Sequence, residues 1–278
     1  MAKNKKIIKN ILIIPAYNEE KQIPEVLKAA LGAKLIDKII VINDGSKDKT
    51  AEIISHYPVT LINHKKNHGK GAALQSGINL ALNYQPEIII FLDADLIGLK
   101  PYHLDSLVEP LLKDDELIMT VGLLKRGDEK ITTPEYSGQR AIKVSFFDHC
   151  FNFSKLGFGV ELAITDRLKK IAKKRKISIS KLRKEIFFEG VTHITKEKKH
   201  GPIPGFGARI KMYSEIGFTP LHIIKADLEK FINDLDKIIS ELEEKRMAKK
   251  NEQKIDKMRK KLNQIKLKWH QKLTKNLS

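Results

Sequence analysis

Ile88-Ile89-Ile90-Phe91-Leu92-Asp93-Ala94-Asp95-Leu96 reads as a buried strand that runs into a pair of acids. The four apolar residues from Ile88 to Phe91 supply the strand, and two carboxylates follow, one residue apart, where it ends. An Asp-x-Asp at such a place offers oxygens to one hard divalent cation, which keeps its other positions for water and a substrate diphosphate. In an open α/β sheet the carboxyl ends of the strands are also where ligands bind. Alone, such a pair is more commonly two solvated turn aspartates, so its meaning depends on its surroundings.

Working outward, short apolar runs alternate with amphipathic stretches. Strands are expected at Asn10–Ala16, Lys38–Asn43, 59–63 and 87–92, and helices at 19–31, 48–56, 71–83 and 102–113. This alternation predicts a mainly parallel sheet flanked by helices and joined by right-handed crossovers. A fifth strand is expected at 117–124. Further on we expect a helix at 137–153, ending near Gly157-Phe158-Gly159, then a helix at 160–174, a strand at 186–195 and a loop at 199–207. From 226 to 273 the chain is charged, lacks Gly and Pro, and repeats apolar residues at helical spacing, which predicts a basic helical extension.

Three strand ends carry polar groups that would gather along one sheet edge: Pro15-Ala16-Tyr17-Asn18-Glu19-Glu20, Asn43-Asp44-Gly45-Ser46-Lys47-Asp48 and Asp93-Ala94-Asp95. Such an edge suits a nucleoside diphosphate. Each piece also has a plain local reading. Ser46 makes a good helix cap, and Glu19-Glu20 are favourable first-turn acids. Gly69-Lys70-Gly71 lacks the length and the Ser/Thr of a P-loop, which argues against a nucleoside triphosphatase.

In these motifs, IIPAYNEE, VINDGSKDKT, NHGKGAALQSGI and FLDADL, the chain resembles the family 2-like glycosyltransferases with the GT-A fold. The resemblance implies a Rossmann-like sheet and transfer of a sugar from a UDP- or GDP-linked donor. It implies that Pro15, Ala16, Tyr17 and Glu19 line the nucleoside pocket and that Asp44 contacts base or ribose. Lys70 would lie near base or phosphate, Asp93 and Ala94 by the ribose, and Asp95 on Mg2+ or Mn2+ with Asp93 beside it.

Asp93-Ala94-Asp95-Leu96, Ser137-Gly138-Gln139-Arg140-Ala141 and Gly157-Phe158-Gly159-Val160-Glu161 are more narrowly similar to glucosyl-3-phosphoglycerate synthases. That likeness implies a third metal ligand at His193, with His200 as the second choice; a neutral imidazole suits Mn2+ or Mg2+ beside carboxylates. Asp95, Glu161 and Asp166 are the expected catalytic carboxylates, the last two as bases for an incoming hydroxyl. Lys125, Arg126 and Arg140 are the expected grip on an acceptor phosphate. The acceptor stays open between a small phosphorylated molecule such as 3-phosphoglycerate and a polyprenyl-type lipid phosphate.

A chain of 278 residues can bury a full core. We expect a GT-A domain at 1–224, with a nucleotide-sugar half at 1–124 and an acceptor half at 125–224, and a helical extension at 225–278. One cysteine, Cys150, excludes an intramolecular disulfide framework, and no apolar run is long enough to span a bilayer. We therefore expect a cytoplasmic protein, with peripheral contact at the inner membrane face or a homodimer as roles for the basic extension. The formal charge of +18 is concentrated: ten Lys/Arg and no acid lie between Arg167 and Lys184. Aromatics are scarce there, so the stacking platforms of a single-strand nucleic-acid binder are absent. We expect no nucleic-acid partner, and a non-catalytic nucleic-acid-binding or regulatory protein stands as the rival class. A nucleotidyltransferase fits less well, because a glycine-rich basic loop is missing after the first strand.

Overall fold

The computed structural model describes residues 8–126, 129–130, 132–147, 152–154 and 156–193, together with 260 and 264. The chain divides into two compact units, and every element below belongs to the first, Met1–Thr195 with Ser214–Gly217. The loop at 199–207 with His200, the boundary at 224 and the helical extension apart from 260 and 264 lie outside the described residues.

The first half is a run of strand and helix in turn: β1 (Asn10–Ala16), α1 (Ile23–Gly32), β2 (Lys38–Asn43), α2 (Thr50–Ser55), β3 (Thr60–Asn63), α3 (Lys70–Leu82) and β4 (Ile88–Phe91). After it come β5 (Leu96–Ile97), α4 (Pro101–Lys113), β6 (Met119–Arg126), β7 (Glu129–Lys130) and β8 (Arg140–Lys143). Last are α5 (Val160–Arg175), α6 (Ile179–Leu182), β9 (Arg183–Glu189) and β10 (Thr192–His193). Eight strands form one sheet in the order β3-β2-β1-β4-β8-β6-β7, with β9 also paired to β6. The pairs β2–β3, β1–β2, β1–β4 and β6–β9 are parallel, whereas β8 runs antiparallel to both β4 and β6.

Period-two alternation explains why the apolar runs are unbroken. On β1, Leu12, Ile14 and Ala16 face a core shared with Val26 and Leu27 of α1 and Leu104 and Leu107 of α4. Ile11 and Ile13 face the other side, with Leu74 and Ile78 of α3 and Ile164 and Leu168 of α5. A sheet covered on both faces needs apolar residues at every position. Full burial of each aliphatic side chain stabilises by about 1.5–3 kcal/mol, which holds even the four-residue β4 in place. Gly77 lets α3 approach closely: a Cβ there would lie 2.5 Å from Ile13 Cγ2 and 2.8 Å from Ile42 Cδ1.

Two expectations fail. The helix expected at 137–153 is β8 followed by a short 3-10 turn at Val144–Phe146. Arg140, Ala141 and Ile142 are buried between two strands, and periodicity cannot tell a strand enclosed in this way from a helix. The strand expected at 186–195 is two, since Gly190 turns the chain at φ +73° between β9 and β10. β10 then pairs antiparallel with β5 in a separate ribbon.

Candidate functional site

The carboxyl ends of β1, β2 and β4 do meet along one edge, stitched by hydrogen bonds between loops. Asp44 N–H donates to the Ala16 carbonyl at 2.8 Å, Asn18 N–H to Ser46 Oγ at 3.0 Å and Glu19 N–H to Thr50 Oγ1 at 2.8 Å. In return Lys47 N–H donates to Asn18 Oδ1 at 2.8 Å. Asn18 adopts φ +56°, a left-handed turn that a short polar side chain tolerates. Pro15 and Ala16 close β1, Ala16 is buried, and Tyr17 projects outward with 38% exposure. The Glu19 carbonyl receives the N–H groups of Gln22 and Ile23, so α1 begins at Ile23, after a turn, and not at Glu19.

Asp44 reaches the same edge, but its carboxylate faces the protein. Oδ1 lies 2.7 Å from His64 Nδ1 and accepts His68 N–H at 3.0 Å, while Oδ2 accepts Gly69 N–H at 2.8 Å. The residue is 3% exposed. Its oxygens are engaged by these groups, where contact with base or ribose was expected.

Lys70 opens α3 and joins the two halves of the chain. Its Nζ lies 2.6 Å from Asp93 Oδ1 and 2.6 Å from Glu161 Oε1. Burial alone would depress its pKa, but the charges of Asp93 and Glu161 outweigh that and hold the ammonium well above the ordinary lysine range. Asp93 Oδ2 also accepts from Gln139 Nε2 at 3.2 Å. Gly138 makes room for that carboxylate: a Cβ there would lie 2.7 Å from Asp93 Oδ1 and nearer still to Oδ2. Gln139 and Gly138 escaped the reading of the sequence as site residues, although both lie in the quoted Ser137–Ala141 run. Counting Lys70, Asp93 and Glu161 together leaves surplus negative charge.

Asp95 follows at the same strand end, half-buried, and Ala94 between the two acids is buried. The β5–β10 ribbon sets His193 opposite Leu96, the residue after Asp95. This register sets the His193 backbone beside the residue that follows the acid pair. Among the described residues no three His, Cys, Asp or Glu side chains stand together as a ready cation cage. The donor types nevertheless suit Mg2+ or Mn2+: a carboxylate and an imidazole on neighbouring backbone positions, a set that diphosphate oxygens and water would have to complete.

The remaining expected residues fall elsewhere. Arg140 is 1% exposed. Its Nε donates to the Ser137 carbonyl at 2.8 Å, and Nη2 to the Pro134 and Glu135 carbonyls at 2.7 and 3.1 Å. Nη1 meets Thr165 Oγ1 at 3.3 Å and Met119 Sδ at 3.6 Å. All five N–H groups are thus committed, and an acceptor phosphate finds none left. Burial pulls its pKa down to about 10 despite the opposing charge of Glu161. Asp166, five residues along α5 from Glu161, lies on the exposed face and pairs with Lys170 at 2.8 Å, so it is removed from the edge where Glu161 sits. Lys125 pairs with Glu189 at 3.1 Å near the end of β6, which Arg126 closes.

Comparison with known proteins identifies the family and the fold. The model of glycosyl transferase family 2 matches residues 11–160. A dolichyl-phosphate beta-glucosyltransferase of Trichomonas vaginalis is 32% identical over 139 residues, 44% of this chain and 42% of that protein. A 4,4'-diaponeurosporenoate glycosyltransferase of Staphylococcus aureus is 34% identical over 136 residues, 47% of this chain and 34% of that protein. The chain thus spans well under half the length of these relatives. Glucosyl-3-phosphoglycerate synthase of Mycobacterium tuberculosis, solved with phosphoglyceric acid, superposes with a TM-score of 0.57 at 18% identity, over 76% of this chain and 81% of that one. Another structure of that synthase holds Mn2+, uridine-diphosphate-glucose and phosphoglyceric acid. At such identity the likeness shows the fold, an α/β sheet of the GT-A type.

Proposed function

We infer, since the chain belongs to glycosyl transferase family 2 and is a glycosyltransferase, that it moves a sugar from a nucleotide-diphosphate donor to a phosphorylated acceptor. The observation that carries this reading is the meeting of Lys70, Asp93 and Glu161 beside Asp95 at the carboxyl edge of β1, β2 and β4. Pro15, Ala16 and Tyr17 border the nucleoside, with Tyr17 exposed enough to stack on a base. Asp95 and His193 would hold Mg2+ or Mn2+, and Asp93, tied to Lys70, would flank them. When bound, such a cation would supply positive charge against the departing diphosphate. Lys70 adds a fixed ammonium at the same edge, oriented before the donor arrives, so little reorganisation is needed as charge develops. Glu161 holds Lys70 from the α5 side and is the carboxylate at hand if the acceptor attacks through a hydroxyl. A phosphate acceptor attacks with an oxygen that is already anionic and requires no base.

For the acceptor, 3-phosphoglycerate is supported by the likeness of fold, and a lipid phosphate by the named dolichyl-phosphate relative. Lys125 and Arg126 at the end of β6 remain the cations proposed for the acceptor phosphate. Among the described residues no helix is long and apolar enough to cross a membrane. A panel of UDP- and GDP-linked sugars with Mg2+ or Mn2+, assayed against 3-phosphoglycerate and against polyprenyl phosphate in vesicles, tests the reading. Transfer to one acceptor class alone identifies it. Absence of metal-dependent donor binding across the whole panel overturns the site.

A further inference from the structure

His64 and Ser76 take no part in this chemistry, yet both are drawn to its margin. His64 follows β3, and its N–H donates to the Asn43 carbonyl at 2.9 Å, which carries the ring to the end of β2. There Nδ1 lies 2.7 Å from Asp44 Oδ1, and Nε2 lies 2.9 Å from Ser76 Oγ on α3. The His64 side chain is 14% exposed and that of Asp44 4%, so water competes little for either contact. In the neutral ring the carboxylate fixes the proton on Nδ1, which leaves Nε2 to accept from the Ser76 hydroxyl.

The same carboxylate takes the N–H groups of His68 and Gly69. Gly69 caps α3 at φ +89°, and Lys70 is the first residue of that helix. A chain of contacts therefore runs from Ser76 through His64 and Asp44 to the loop that ends at Lys70. We propose that His64 and Ser76 are positioning residues: they orient the Asp44 carboxylate so that it pins the His68 and Gly69 N–H groups, and through that loop they place Lys70 between Asp93 and Glu161. Asp44 thereby gains a role that its enclosure explains. The consequence for turnover rests on the proposed place of Lys70 at the donor diphosphate, where a displacement of about 1 Å can cost about a hundredfold in rate.

Two isosteric substitutions separate this role from simple packing. In His64→Asn the amide nitrogen falls where Nδ1 was and keeps the bond to Asp44. In His64→Gln the amide falls where Nε2 was and keeps only the bond to Ser76. We expect His64→Gln to lower kcat/KM about tenfold or more, His64→Asn to stay within about threefold, and Ser76→Ala to lose about twofold to threefold. In a Lys70→Ala background the His64→Gln effect should shrink to about twofold or less, because the two act through one group. Equal impairment of the Asn and Gln variants, or an undiminished Gln effect without Lys70, would overturn the proposal. Hydrogen exchange at the His68 and Gly69 amides reads the pinning without any activity. It should quicken in His64→Gln and not in His64→Asn, and unchanged exchange in both refutes the pinning. A parent chain that transfers from no donor instead defeats the functional reading, and the exchange result still decides whether Asp44 is held in this way.

Discussion

Lys70, half-buried at the carboxyl edge of the parallel strands, and Arg140, fully buried in β8, are both shielded cations, and they are compensated in different ways. Lys70 lies between two carboxylates and its proton is held more tightly than in water. Arg140 lies among carbonyl oxygens, a hydroxyl and a thioether, and its proton is held less tightly, at about 10. The lysine sits in surplus negative charge, an environment that a substrate or a second cation can alter. The arginine sits among fixed dipoles of the 134–137 loop, which nothing from outside replaces. Burial of charge alone therefore does not mark a functional group; the kind of compensation does.

The largest expected effect tests the edge without touching either cation. Asp95→Ala should lower metal-dependent transfer about a thousandfold, equivalent to several kcal/mol of lost charge stabilisation, while the melting temperature stays near that of the parent. Unchanged transfer would remove Asp95 from the site. Next, Arg140→Met should destabilise by about 3–5 kcal/mol in urea titration, because the buried guanidinium and all its hydrogen bonds are lost and three carbonyls lose their donors. Lys70→Met leaves two carboxylates facing each other at a partly open edge, so about 1–3 kcal/mol is expected, with transfer hit harder than stability. If Arg140→Met lost activity and kept its stability, the contrast between the two cations would collapse. Gly138→Ala should crowd the Asp93 carboxylate and cost about tenfold in kcat/KM with about 1 kcal/mol or less of stability.

The smallest effect lies in alkaline solution, where the two cations should act in opposite directions. Lys70 has a folded pKa above its unfolded value, so its contribution is fully present below the ordinary 10.5 and is lost as pH climbs toward the folded value. Arg140 has a folded pKa below its ordinary 12.5, so between about 10 and 12.5 the unfolded chain binds more protons and this group makes stability rise with pH. Urea midpoints between about pH 9 and about pH 11.5 should fall more steeply in Arg140→Met than in the parent, and less steeply in Lys70→Met.

Much of the sheet was legible in the chain. β1 and β2 fall where the apolar runs place them, and β3 and β4 differ by a residue at their ends, because each run is bounded by polar turn residues. The gathering of three strand ends along one edge followed from topology, since parallel strands with crossovers put every carboxyl end on the same side. β8 was not legible, because a strand enclosed on both edges and both faces loses its alternation. The ion pairs of Lys70 were not legible either. Lys70 and Glu161 are ninety-one residues apart, and only the packing of the Gly157–Gly159 turn, which leads into α5, against α3 brings them together. Arg140 misled because its direction was unknown: a residue's position on a strand does not say which way its guanidinium turns. His64 carried no signal beyond a histidine after a strand.

The small ribbon of β5 and β10 has a consequence for the order in which this molecule matures. The sheet strands β1 to β4 and the acid pair are complete once the ribosome has passed the middle of the described chain, but β10, which sets His193 opposite Leu96 beside that pair, arrives only with residue 193. A nascent or truncated chain can therefore own a finished floor and an unfinished corner, and if His193 joins Asp95 as proposed, the grip on a cation waits for a segment made well after the strand ends it completes.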